Sequence, residues 1–402
     1  MVALSAFHER CETVGVPLLE DQNSFSHPTS SDAFALRQYT KAIQLLRHRL
    51  TYGEQSHVVT LLSCVLFICL EFLRGNKDSA ITHLRGGLDI IRSRLPSAPP
   101  SNHLQTNLTP SDILEGNLVP LFARLSVLQS LYGQPRSSNY GPSAHGPFLE
   151  LLDVEVGPSR SFFDDLNEAR VSAVNIINST FRFAFMIDYE YFPSEDIMWA
   201  TQSALLAQSQ GWSDAMDVLT TTLSDEELPY AHLLSAHNFM TRVWMLSAPE
   251  RTQCAFDSHL ETFERIHDLC LPLISHLEGA SSKRPSFTLD AGLLSTLFFA
   301  STKCRHRVQR RKFITLMQRA PVREGLWNAA EVLKVAEKCV GVEEEPISSE
   351  PYVMYPPELS RIHDMDIQSR SIEDPGRQFV RLKMKPLGLD HEFVWRTEHI
   401  KW

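Results

Sequence analysis

Apolar positions recur with a helical period along most of this chain and with a period of two only near its C-terminus. The densest apolar stretch, Val58 to Leu73, is apolar almost all round, which predicts a helix buried on most faces. Gly75 supplies a stop, and Asn76 or Asp78 can accept from the N–H groups that open the next helix. In that helix Ala80, Leu84, Leu88, Ile91 and Leu95 form one stripe at three- and four-residue steps. Two helices joined by so short a turn are expected to lie antiparallel, stripe on stripe. Upstream, Ser31 or Asp32 caps a helix to about Leu50, with Leu36, Tyr39, Ile43, Leu46 and Leu50 as its apolar face.

Downstream, residues 96–110 read as a Pro-, Ser- and Asn-rich linker. A helix follows over about 111–132, with Pro120 set to kink or divide it. The Gly/Pro/Ser-rich stretch 133–158 reads as an exposed loop. Helical patterns then cover 163–192, 195–210, 213–222, 226–247 and 256–277, with a break at 281–286 and a purely apolar helix over Leu289 to Cys304. After Glu343-Glu344-Glu345-Pro346 the character changes. Gln378 to Met384 alternates apolar and charged residues, Pro386-Leu387-Gly388 is a turn signal, and Glu392 to Arg396 continues in strand style. The expected fold is all-α: a large helical bundle or irregular solenoid with a small C-terminal β-hairpin. Residues 1–30 read as a poorly ordered lead-in. Residues 31–402 read as one domain, with a helical body to about 345 and a mixed tail at 346–402 carrying the hairpin.

Composition bounds the function. The formal net charge of −10 argues against a surface that grips nucleic acid everywhere, although a local basic patch remains compatible with it. Seven dispersed cysteines, an odd number, read as reduced thiols of a cytosolic or nuclear protein. The first residues lack a basic start followed by a long apolar run, so no secretory signal is expected, and the Asn107 and Asn178 glycosylation patterns read as chance. Val58 to Leu73 contains Thr60, Ser63 and Glu71 and is short of the ~20 residues a span needs, so a core helix is expected and no membrane partner.

Recognition comes from two blocks. The hairpin Leu61 to Phe67, Gly75-Asn76, and Ala80, His83, Leu84, Gly87, Leu88 resembles the C-terminal regulatory domain of fungal zinc-cluster transcription factors. Leu297 to Arg305, then Arg310-Arg311, then Arg323-Glu324-Gly325-Leu326-Trp327, resembles a second block of that family, in the same order. The resemblance implies a nuclear regulator whose helical region senses signals and contacts other transcription regulators, in control of a metabolic or secondary-metabolite gene cluster. The family's DNA-binding module needs six closely spaced cysteines around two zinc ions, and here only Cys11 precedes Cys64. That puts direct sequence-specific DNA binding by this chain in doubt. Partnership with a complete zinc-cluster family member, in a homo- or heterodimer, is the expected route. The competing class is a helical scaffold or small-molecule-binding protein without a transcriptional role.

Candidate chemistry is sparse. Cys64 and Cys69, five apart, do not make a metal clamp and read as buried thiols. His83, His232 and His237 lack the spacing or partners of a metal or catalytic site. No phosphate-cradling loop, nucleophile elbow or dinucleotide fingerprint occurs. No catalytic, metal or cofactor-binding residue is therefore assigned, no cofactor is expected, and an enzyme is disfavoured. Lys303, Arg305, Arg307, Arg310, Arg311 and Lys312 form a basic cluster that could serve as an import signal or a phosphate contact. The favoured reading is structural, with the cations complementing helix ends and pairing with acidic residues. Trp327 reads as a core anchor, and Glu343 to Glu345 as a solvated helix end.

Overall fold

The structure, a computed structural model, describes residues 2–6, 9, 30–51, 57–74, 76–92, 118–119, 121–122, 125, 161–188, 190–279, 292–321, 323–324, 327–368 and 376–402. The linker at 96–110 and the loop at 133–158 lie outside these residues, as does most of the lead-in at 1–30; within it, residues 2–6 are helical and Ala3 packs with Ala35, Tyr39 and Phe67.

The opening helices are α1 (Ser30–Thr51), α2 (His57–Arg74) and α3 (Lys77–Arg92). Asn76, not Asp78, opens α3: its side-chain oxygen accepts from the Ser79 N–H at 3.1 Å. The α2–α3 hairpin forms as its stripes require. Leu61, Cys64, Ile68 and Phe72 of α2 meet Ala80, Leu84, Leu88 and Ile91 of α3 in the main core. α2 is long and apolar enough to cross a membrane by length and composition, and here it packs into that core. Residues 118–119, 121–122 and 125 are helical, with Leu118, Phe122 and Leu125 buried. Phe122 lies on Gly87 so closely that a Cβ there would overlap its ring.

The body continues with α4 (Leu166–Asp188), α5 (Glu195–Thr220), α6 (Leu228–Ser247), a 3-10 helix (Gln253–His259) and α7 (Leu260–Gly279). It is completed by α8 (Leu293–Lys303), α9 (Arg307–Arg319), a two-residue hairpin β1 (Arg323–Glu324) and β2 (Trp327–Asn328), and α10 (Ala329–Glu344). Every residue of α8 from Leu293 to Thr302 is buried. That is the expected result for a helix apolar all round: neighbouring helices α6, α7, α9 and α10 surround it. The segment expected as two helices at 195–210 and 213–222 is one, α5. A mid-helix glycine such as Gly211 costs about 1 kcal/mol. Burial of Trp212, whose indole N–H donates to the Ala169 carbonyl at 3.0 Å, outweighs it.

The tail carries a three-stranded antiparallel sheet in the order β3–β4–β5, with β3 (Ile362–Ile367), β4 (Arg377–Met384) and β5 (Val394–Lys401). The expected hairpin is β4–β5, turning through Gly388 at φ +119°, a conformation that glycine alone adopts readily. β3 was not expected. A register shift between Ile362 and Asp364 breaks its period of two, so its burial does not alternate. The inward side chains Val380, Leu382, Met384 and Ile400 merge the sheet with the helical core. Glu331 of α10 ties α3 to β4, accepting from Lys77 Nζ and Gln378 Nε2, each at 2.5 Å.

Candidate functional site

The most concentrated chemistry lies where α8, α9 and α10 meet the tail. The short link between α8 and α9 and the first turn of α9 place Arg305 and Arg310 inward, and the last turn of α10 brings Glu343 and Glu344 against them. Arg305, Arg310 and Glu343 are all essentially without solvent exposure. The Glu343 carboxylate accepts from Arg310 Nη2 at 2.7 Å, from Arg305 Nε at 3.3 Å and from the Ile362 N–H at 2.9 Å. Burial alone would push this carboxyl up, but the two guanidiniums and the Ile362 N–H outweigh it and hold it below the usual range. Arg305 also donates to the carbonyls of Lys303 and Ile362 at 3.1 and 2.9 Å, so its fork is spent within the fold.

A second layer surrounds this one. Arg311 forks onto Glu344 at 3.1 and 2.6 Å, and Arg307 reaches the same carboxylate at 3.3 Å. Arg361 forks onto Asp257 at 2.7 and 2.8 Å and donates to the Pro356 carbonyl. Glu358 accepts from the Thr252 hydroxyl and the Gln253 and Cys254 N–H groups at 2.7, 2.8 and 2.9 Å. Burial would raise its pKa, yet His363 and these donors bring it to about 2. This network is thus a clamp that ties tail residues 354–363 to the helices.

The structural reading of the basic cluster holds for Arg305, Arg307, Arg310 and Arg311, and Lys303 donates to Gln253 Oε1 and the His363 carbonyl at 3.2 and 3.3 Å. Lys312 stands exposed. The solvated reading of Glu343 to Glu345 is corrected: Glu343 and Glu344 are buried by their arginine partners, and only Glu345 is exposed. Sequence reasoning also missed Glu324. Its carboxylate accepts the Leu294 N–H at 2.7 Å and so caps α8, whose own cap residue Gly292 has no side chain to do it. Burial pushes Glu324 up to about 7, against the pull of the Leu294 and Leu293 N–H groups.

The remaining candidates fall into place as core. His237 is buried with Nε2 3.3 Å from the Gly292 carbonyl oxygen, and His83 Nε2 lies 2.7 Å from the Tyr39 hydroxyl. His232 is half-buried on α6. Trp327 packs edge-on against Phe298, with ring centroids 5.6 Å apart. Burial pushes the Cys64 and Cys69 thiols up to about 11, and Cys270, Cys304 and Cys339 to about 12, which makes them poor nucleophiles. No group of His, Cys, Asp or Glu that could hold a metal ion occurs among the described residues.

A site that spends its charges on its own backbone and counter-ions is built to hold a fold. The comparison with protein families agrees. The model of the fungal specific transcription factor domain matches residues 1–339. The chain belongs to that family. Within the domain both recognition blocks have physical roles: the first is the α2–α3 hairpin, and the second builds α8, its Glu324 cap and the arginine half of the clamp. The carboxylates of the clamp, Glu343 and Glu344, stand just beyond the matched span. No curated protein and no solved structure matches the chain.

Proposed function

We propose that this chain is a transcription regulator that acts through contacts with other regulators. The match of the fungal transcription factor domain over residues 1–339 carries the reading. The proposed mode of action is dimerisation, either with a second copy or with a complete zinc-cluster family member. The setting is the nucleus, and the targets are the genes of a metabolic or secondary-metabolite cluster. Transcript profiling of a strain deleted for the gene, against its parent, tests this. A coherent change in a small neighbouring set of genes is the expected result. Unchanged transcripts across several growth conditions would overturn it and favour the helical scaffold.

A further inference from the structure

β5 is an edge of the C-terminal sheet: in the order β3–β4–β5 it pairs only with β4 among the described residues. The Trp402 N–H donates to the Gly376 carbonyl at 3.0 Å, so even-numbered positions of β5 turn their N–H and C=O groups towards β4. The main-chain groups of Trp395, Thr397 and His399 therefore aim away from the sheet, and none of them is hydrogen-bonded on that side among the described residues. At the end of the row the Lys401 carbonyl accepts from Lys334 Nζ of α10 at 2.8 Å, which closes the edge there. Arg396, Thr397 and His399 are exposed, and Trp395 is half-buried.

Sheet edges are commonly blunted by a proline, a bulge or short length. β5 has none of these: it runs from Val394 to Lys401 without proline or glycine and in unbroken register with β4. Its side chains suit one neighbour, a second copy of the same strand run antiparallel. Across this edge odd positions must face odd positions to exchange hydrogen bonds. A twofold axis through Thr397 then sets Arg396 opposite Glu398 of the second copy, and Glu398 opposite Arg396. It also sets Thr397 opposite Thr397 and Trp395 opposite His399. Opposite charges, paired threonines and paired rings are combinations that stabilise adjacent strands. The even positions are the non-hydrogen-bonded pairs, whose side chains approach more closely. Neighbouring registers lose this match. An axis through Arg396 or Glu398 sets like charges against each other, and one through Trp395 or His399 sets a charge against Val394 or Ile400. Arg396 donates to Glu398 of its own strand at 2.6 Å and to Glu345 at 3.1 Å, with its side chain still 43% exposed, so a second carboxylate can join it.

We propose that two copies of this chain associate through β5, joining their C-terminal sheets into one continuous antiparallel sheet about a twofold axis at Thr397. The inference rests on the dimer reading proposed above and names its surface. The contact uses the same patch on both copies, so it closes at two. One strand pair is a small interface, and the dimer should be weak, with a Kd of about 1–100 µM.

The test is sedimentation velocity of the full chain over about 1–200 µM, which brackets that Kd and should show reversible dimerisation. Thr397→Pro removes an N–H that the monomer leaves unused and should give a monomer throughout. Arg396→Glu and Glu398→Arg, each alone, set like charges opposite and should weaken the dimer roughly 10- to 100-fold. Mixed in equal amounts, these two variants face each other with opposite charges at both positions and should associate about as tightly as the parent. A variant that had merely lost its fold would not be rescued in this way, and thermal melting of each reads its stability separately. A parent that stays monomeric over the whole range overturns the proposal, and the second-copy form of the dimer reading with it. A dimer that Thr397→Pro and both charge variants leave as tight as the parent overturns the β5 surface alone and leaves dimerisation standing. A mixture no tighter than either variant overturns the pairing of Arg396 with Glu398, and so the proposal.

Discussion

Glu343→Gln is the sharpest probe of the clamp. The substitution keeps shape but removes the charge that both Arg305 and Arg310 face at full burial, and it turns one of the two accepting oxygens into an N–H donor. At 2.7 and 3.2 Å and an effective dielectric near 20, each pair is worth about 5–6 kcal/mol of Coulomb energy before desolvation. Relief of the buried carboxylate's own desolvation returns several kcal/mol, and Arg310 keeps a weaker contact with Glu344 at 3.6 Å. The net loss should be about 3–5 kcal/mol, the usual cost of breaking a buried pair from one side. Urea unfolding followed by circular dichroism reads the loss as a lower midpoint. Limited proteolysis should at the same time release the tail around Ile362, whose N–H also loses its carboxylate. Glu345→Gln is the control, since Glu345 is exposed and pairs only at the surface with Arg396; it should stay within about 0.5 kcal/mol of the parent. A loss at Glu343 below about 1 kcal/mol, or one no larger than the control's, would refute the reasoning. Replacing Glu343, Arg305 and Arg310 together by apolar residues of similar volume should recover much of the stability.

Glu324 sets a pH dependence of the opposite sign to that of Glu343. Its pKa is raised from 4.5 to about 7, so its stabilisation is complete below about pH 4.5 and is lost as pH rises towards 7, a swing of about 3 kcal/mol. Glu324→Gln should flatten melting temperature against pH across that window, and an unchanged slope would contradict the assignment. Glu358, lowered to about 2, contributes stability above pH 4.5 that is lost as pH falls towards 2; Glu358→Gln should remove that acid limb from the same profile. Gly292→Ala should cost about 1–3 kcal/mol in urea unfolding, because its Cβ would overlap the Glu324 carboxylate that caps α8. Asn328→Ala should cost about 1 kcal/mol, since the Asn328 side chain accepts from the Glu331 N–H at 3.0 Å at the start of α10.

The helical body was legible because its elements carry their own period. The α2–α3 hairpin shows both stripes and a capping residue within a few positions, and β4 alternates residue by residue. What was illegible depends on partners distant in sequence. Glu343 reads as solvated when seen beside Glu344 and Glu345, yet its arginines lie 33 and 38 residues upstream. Glu324 looks like any surface glutamate until the fold lays it across the N-terminus of α8, 30 residues before it. β3 fails for a local reason: its bulge disrupts the alternation that a reader would count. The basic cluster was read correctly as structural because cations near helix ends usually find counter-charges, but no periodicity could say that two of them would be wholly enclosed.

That enclosure bears on how a regulator of this kind would work. A basic segment read as an import signal, or as a phosphate grip, has to present its side chains to another molecule. Here Arg305 and Arg310 are sealed, and Arg307 and Arg311 are committed to Glu344. Exposing them would mean dissolving the clamp that holds the tail sheet to the helices, at a cost of several kcal/mol. The richest run of cations in the sequence is therefore spent on holding the fold. Exposed cations stand elsewhere, as at Arg37, Lys41, Arg47 and Arg49 of α1.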